Sequence, residues 1–78
     1  MEFEIDPFEI DIIIEVDGGK QPDVEMRLGS SCIPRLPNIG EEILLEQGND
    51  IIVGRVDKIT FWPQRRRVMV FAKECEYE

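Results

Sequence analysis

The chain contains no histidine, and its 78 residues include only two cysteines, one tryptophan and one tyrosine. Each shortage removes chemistry. Without histidine there is no Ser-His-Asp or Cys-His nucleophile system and no histidine-bound zinc. Cys32 and Cys75 are too few for a disulfide scaffold and too far apart for a metal knuckle. They read as two reduced thiols; a disulfide between them is the alternative, without support from spacing. Gly18-Gly19 and Gly29 are isolated turn glycines, and no glycine-rich phosphate loop opens a helix. Long apolar runs are missing too. The longest is Val68 to Ala72, where a membrane span needs about 18 residues. Met1-Glu2-Phe3-Glu4 offers neither a basic region nor an apolar signal core, so the expected location is cytoplasmic, with no membrane partner.

Positive charge is also scarce. There are 17 acids against 9 bases, a net charge of −8. None of the acids follows calcium-loop spacing, so neither a metal nor a cofactor is expected. Apolar residues make up 42% of the chain, enough for one small core. A single domain over residues 1–78 is therefore expected. A chain this short buries about 60–65% of its extended surface, which predicts marginal stability alone.

The clearest pattern runs from Phe8 to Val16. Phe8, Ile10, Ile12, Ile14 and Val16 alternate with Glu9, Asp11, Ile13 and Glu15. A helical period fails because Asp11 falls on the apolar stripe; a half-buried strand fits. Phe3 and Ile5 lie on the opposite parity, so Pro7 marks a strand start, edge or bulge between an N-terminal arm (1–7) and this strand. Asp17-Gly18-Gly19-Lys20 makes a turn tolerant of positive φ. Val24, Met26 and Leu28 then alternate with Asp23, Glu25 and Arg27, completing an acidic hairpin.

From Gly29 to Gly40 the pattern lapses around Pro34 and Pro37; Ile33, Leu36 and Ile39 should pin this connection to the core. Residues 40–47 read as helix or strand. Strand is preferred, because Gly48-Asn49-Asp50 is a good hairpin turn before Ile51-Ile52-Val53. Parity switches between Val56 and Ile59, which places a bend or bulge at Gly54 or at Asp57-Lys58. Trp62-Pro63-Gln64-Arg65 closes a second hairpin, Arg67 to Lys73 is the last strand, and residues 74–78 form a short acidic tail. Five strands with short turns predict an all-β fold, a small five-stranded, partly open barrel, since closure hides a sheet's edges and its second face.

The stretch Ile33-Pro34-Arg35-Leu36-Pro37-Asn38-Ile39-Gly40-Glu41-Glu42-Ile43, followed by a tight turn, a Val/Ile-rich strand with Val56-Asp57-Lys58-Ile59 and a final strand, resembles small uncharacterised bacterial, phage and mobile-element proteins. Integron gene-cassette products with Src-homology-3-like barrels are among them. The resemblance covers residues 33 to 73. It implies a small barrel that binds something, without an assigned activity. The long acidic N-terminal hairpin departs from that layout. So does the lack of an aromatic peptide groove, and polyproline-peptide binding is not carried over.

Charge is segregated. Residues 1–25 hold nine acids and one base, whereas residues 55–73 hold six bases and one acid. If the first strand lies against the last, Glu9, Asp11 and Glu15 face Arg67 and Lys73, each opposite pair contributing about 0.2–1 kcal/mol. That structural reading comes first. The functional alternative is a patch for nucleic acid or an acidic partner, Arg65, Arg66 and Arg67 beside Phe61 and Trp62. The net negative charge opposes phosphate within a Debye length of about 8 Å.

A third reading is association. The last strand is apolar on both parities, and Ile13 breaks the outer polar row of the first. The spare set needs cover from the arm (Phe3, Ile5), from a second copy, or from a partner. Ile13, Trp62, Met69 and Phe71 are the candidate interaction surface, with a homodimer or head-to-tail docking of acidic hairpin on basic tip as its forms. No catalytic residue is proposed. Glu41 and Glu42 point to opposite faces if the segment is a strand, and Cys32 has no base nearby except Arg35. The expected function is a non-catalytic interaction or assembly module, with a nucleic-acid-binding accessory protein as alternative.

Overall fold

The computed structural model describes residues 8–29 and 35–76. Five strands form one mixed sheet: β1 (Glu9–Glu15), β2 (Val24–Gly29), β3 (Glu42–Gln47), β4 (Asp50–Trp62) and β5 (Arg67–Glu74). Their order is β2-β1-β5-β4-β3. Only two short 3-10 turns, Asp17–Gly19 and Pro63–Arg65, interrupt the strands among the described residues. The sheet curls into a half-barrel around its apolar face, as a small, partly open Src-homology-3-like barrel does. The arm residues Phe3, Ile5 and Pro7, together with Cys32, Ile33, Pro34 and the end of the tail, lie outside the described residues.

Alternation makes β1. Ile10, Ile12 and Ile14 are buried while Asp11, Ile13 and Glu15 face out, half-covered. The strand is one residue shorter at each end than its pattern suggests. Phe8 has the right parity but precedes the first sheet pairs, Glu9 with Gly29 and with Arg67, and stays exposed. Asp17, Gly18 and Gly19 then take φ of 53°, 61° and 88°, left-handed positions that glycine occupies freely and Asp tolerates. Chain reversal brings Met26 opposite Ile12.

Residues 42–47 form a strand, paired with β4 across a two-residue loop. Gly48 takes φ 63° at the first loop position, where a II′ turn favours glycine. The β4 register against β5 jumps from Val56↔Ala72 to Lys58↔Phe71, so Asp57 is an inserted bulge residue. The bulge keeps Gly54 and Val56, and then Ile59 and Phe61, on the core side. It also lets the first half of β4 serve β3 and the second half serve β5. Gly54 has a packing role: a Cβ there would stand 3.0 Å from the Ala72 Cβ and 3.1 Å from Ile14.

The central feature is the parallel pairing of the first and last strands, from Glu9↔Arg67 to Glu15↔Lys73. It aligns Ile10, Ile12 and Ile14 with Val68, Val70 and Ala72, and Leu45 and Val56 complete the buried cluster. The connection before β3 is tied down by Gly40 N–H to the Val56 carbonyl (2.8 Å) and Val56 N–H to the Glu41 carbonyl (2.9 Å). Leu36 packs against the core and Pro37 is buried, but Ile39 is 60% exposed. The turn closed by Glu41 N–H on the Asn38 carbonyl swings Ile39 outward. The barrel stays open: among the described residues β2 pairs only with β1 and β3 only with β4.

Candidate interaction surface

On the convex face of β2, β1 and β5 the outward residues are Glu25 and Arg27, then Asp11 and Ile13, then Arg67, Met69 and Phe71. Register places Ile13 beside Phe71 and Asp11 beside Met69. Ile13 and Met69 line one open hollow of about 460 Å³, and Ile13 and Phe71 line a second of about 220 Å³. Ile13, Met69 and Phe71 are each half-buried, so the three form one contiguous apolar strip. Lys58 sets its ammonium 5.6 Å from the Phe71 ring centre.

Charges rim the strip. The Arg27 Nε donates to Asp11 Oδ1 at 2.9 Å and stands 3.7 Å from Glu9 Oε2. Arg67 meets the same two acids from the other side, 3.4 Å from Glu9 Oε2 and 4.0 Å from Asp11 Oδ2. The Asp11 hydrogen bond and charge hold the Arg27 pKa above its ordinary value. The first strand's acids thus face Arg67, as the charge layout suggests. Lys73 differs: Glu15 is its register partner, yet its ammonium sits 3.8 Å from Asp57 Oδ2. The bulge turns a carboxylate towards it.

The three hairpin arginines separate. Arg67 is engaged by Glu9 and Asp11. Arg65 lays its guanidinium 5.0 Å from the Trp62 ring centre. Arg66 takes φ 52° at the turn, exposed. Trp62 opposes Arg67 in register, one step along the face from Thr60, which opposes Met69. It therefore extends the strip, with Arg65 stacked over it.

A second convex patch lies at the other end. Leu44 and Ile51 are exposed, and Val53, whose carbonyl accepts from Cys75 N–H at 2.9 Å, is buried away from the main cluster. Cys75 is a free thiol, half-buried. The sequence signal for this patch is that Leu44-Leu45 and Ile51-Ile52-Val53 are apolar on both parities, as Val68 to Ala72 is. Among the described residues no group of three or more potential metal ligands converges, and no charged or polar side chain is buried. No helix there is long and apolar enough to cross a membrane. No family model, curated protein or solved structure matches the chain.

Proposed function

We propose that this protein is a non-catalytic interaction and assembly module that self-associates, a small cytoplasmic barrel of the kind carried by mobile elements. The observation that carries this reading is the apolar strip Ile13–Met69–Phe71 on the convex face, rimmed by ion pairs and continued by Trp62. The concave face supplies the core, so burial of the outer strip adds nothing to the fold that one copy needs. Burying such a strip in a contact contributes about 25 cal/mol per Å² of apolar area removed from water. Light scattering after size exclusion of the full chain tests it. Self-association that rises with concentration and is weakened in Met69→Glu is the expected result; a monomer at every concentration, or association indifferent to Met69→Glu, overturns the role of the strip.

The second reading is single-strand nucleic-acid binding by the hairpin tip. It is favoured by one feature, the Arg65–Trp62 stack beside exposed Arg66. Oligonucleotide titration at two salt concentrations separates the readings. Phosphate binding weakens steeply with salt, and absence of binding at low salt removes the idea.

A further inference from the structure

We propose that the free edge of β2 is the seam of a two-fold dimer, in which a second copy lays its own β2 antiparallel against the first and continues the sheet. This goes beyond the convex strip: it rests on the reading that copies associate but places a second contact at a different part of the sheet, the edge of β2. The edge is six residues long, Val24–Gly29, and its outer flank has no strand partner among the described residues. Unpaired N–H and C=O groups along such an edge are a template for another strand.

The occupant follows from the order of side chains. Opposed residues of an antiparallel pair share a face, so a two-fold axis must pass through a residue. With the axis at Met26, Val24 faces Leu28 of the second copy, Glu25 faces its Arg27, and Met26 faces Met26. Every pair is chemically matched. Two opposite-charge pairs form on the convex face and three apolar pairs on the core face. Glu25 is exposed and makes no ion pair within 4.0 Å among the described residues, its charge reaching Arg27 of its own strand only at longer range, while Arg27 already holds Asp11 and has its side chain more than half exposed. Val24, Met26 and Leu28 pack on the core yet stay half-covered. That is the condition of residues whose far side awaits a neighbour.

The other edge offers less. Centring β3 on Leu44 sets Glu42 against Glu46 of the second copy, and centring it on Leu45 sets Leu44 against Glu46. The distal half of β4, beyond its pairing with β3, carries no opposite-charge pair to select a register.

Charge exchange in the full-length chain tests the seam, with circular dichroism confirming that each variant folds. Glu25→Lys places Lys against Arg27, and Arg27→Glu places Glu against Glu25. Each should weaken the dimer about tenfold or more. Mixing the two variants restores both opposite pairs and should restore the dimer. As a second readout, Met26→Cys with Cys32→Ser and Cys75→Ser, treated with diamide as the two-electron oxidant, should form a disulfide-linked dimer joined at position 26. If the native chain associates but neither charge variant weakens it and no such link forms, the seam is wrong. Loss of association in Met69→Glu alone would then leave the convex strip as the contact. A native chain that dimerises only after residues 1–7 are removed also overturns the seam, because the arm then occupies the edge. A native monomer with or without the arm removes both proposals.

Discussion

At the scale of single residues, two positions are set by their immediate neighbours. Gly54 sits where Ala72 and Ile14 come too close for a side chain. Gly54→Ala is expected to lower stability by about 1–3 kcal/mol, the usual cost of overfilling a packed core, read from the urea midpoint. An unchanged midpoint would mean that β4 moves aside freely.

Glu41 is the second. Its carboxylate accepts two bonds from Arg35, at 2.8 and 2.7 Å, and one from Asn38 N–H at 2.7 Å. The Arg35 bond first, and then the Asn38 backbone, lower its pKa from 4.5 to about 2. A depressed folded value stabilises the fold above the unfolded value. The clasp therefore contributes in full above pH 4.5, and its contribution fades as the pH falls towards 2. Glu41→Gln should flatten that part of the acid-unfolding profile, and a profile identical to the native one would refute the clasp. Gly54 is half-legible in the sequence, since a glycine inside a strand signals a bend or a close approach. The Arg35–Glu41 clasp is not legible, because partners across an irregular loop obey no period.

At the scale of elements, periodicity is the physical reason some strands can be read directly. β1 is an almost unbroken alternation, and its half-buried partner β2 repeats it. β3 is harder, because Ile43, Leu44 and Leu45 suit a helix face or a strand equally; the following glycine turn decides it. The bulge is visible as a parity switch between Val56 and Ile59, and the register shift falls at Asp57. Deleting Asp57 should therefore keep both faces of β4 and lose only the local bend and twist that the bulge adds. Deletion makes Val56 and Lys58 consecutive in the chain as they already are in the ladder, so Ile59 and Phe61 stay on the core side and the variant should still unfold cooperatively, at a lower temperature; an uncooperative melt would contradict the bulge. Asp57→Ser leaves parity intact and loses a surface ion pair with Lys73, worth about 0–1 kcal/mol. Thermal melts of the two variants give the comparison. The ion pairs joining β2, β1 and β5 were only partly open to sequence reasoning. Opposed charge blocks are visible, but the sharing of Asp11 between Arg27 and Arg67 needs the strand order.

At the scale of the whole molecule, the sheet has a centre and two margins. β1 and β5 are each paired on both sides and supply six of the buried side chains, whereas among the described residues β2 and β3 are paired on one side only. Amide hydrogen exchange should reflect this. Ile10 to Ile14 and Val68 to Ala72 should exchange at the rate of global unfolding, and β2 and β3 faster, through local fraying. Slower exchange in β3 than in β1 would contradict the layout. The openness of the barrel could not be read from composition. Alternation says which face is apolar, but the gap between β2 and β3 depends on how far the sheet curls.

The pairing of the first strand with the last also sets the order of events during synthesis. β1 leaves the ribosome 58 residues ahead of the neighbour that closes its apolar row, Val68 to Ala72. Until then the nascent chain holds two separate hairpins with exposed isoleucine and leucine, the state most open to chaperones and to clumping. Folding waits on this one long-range docking step, so the native sheet should form slowly for a chain of this length, and only once β5 is out.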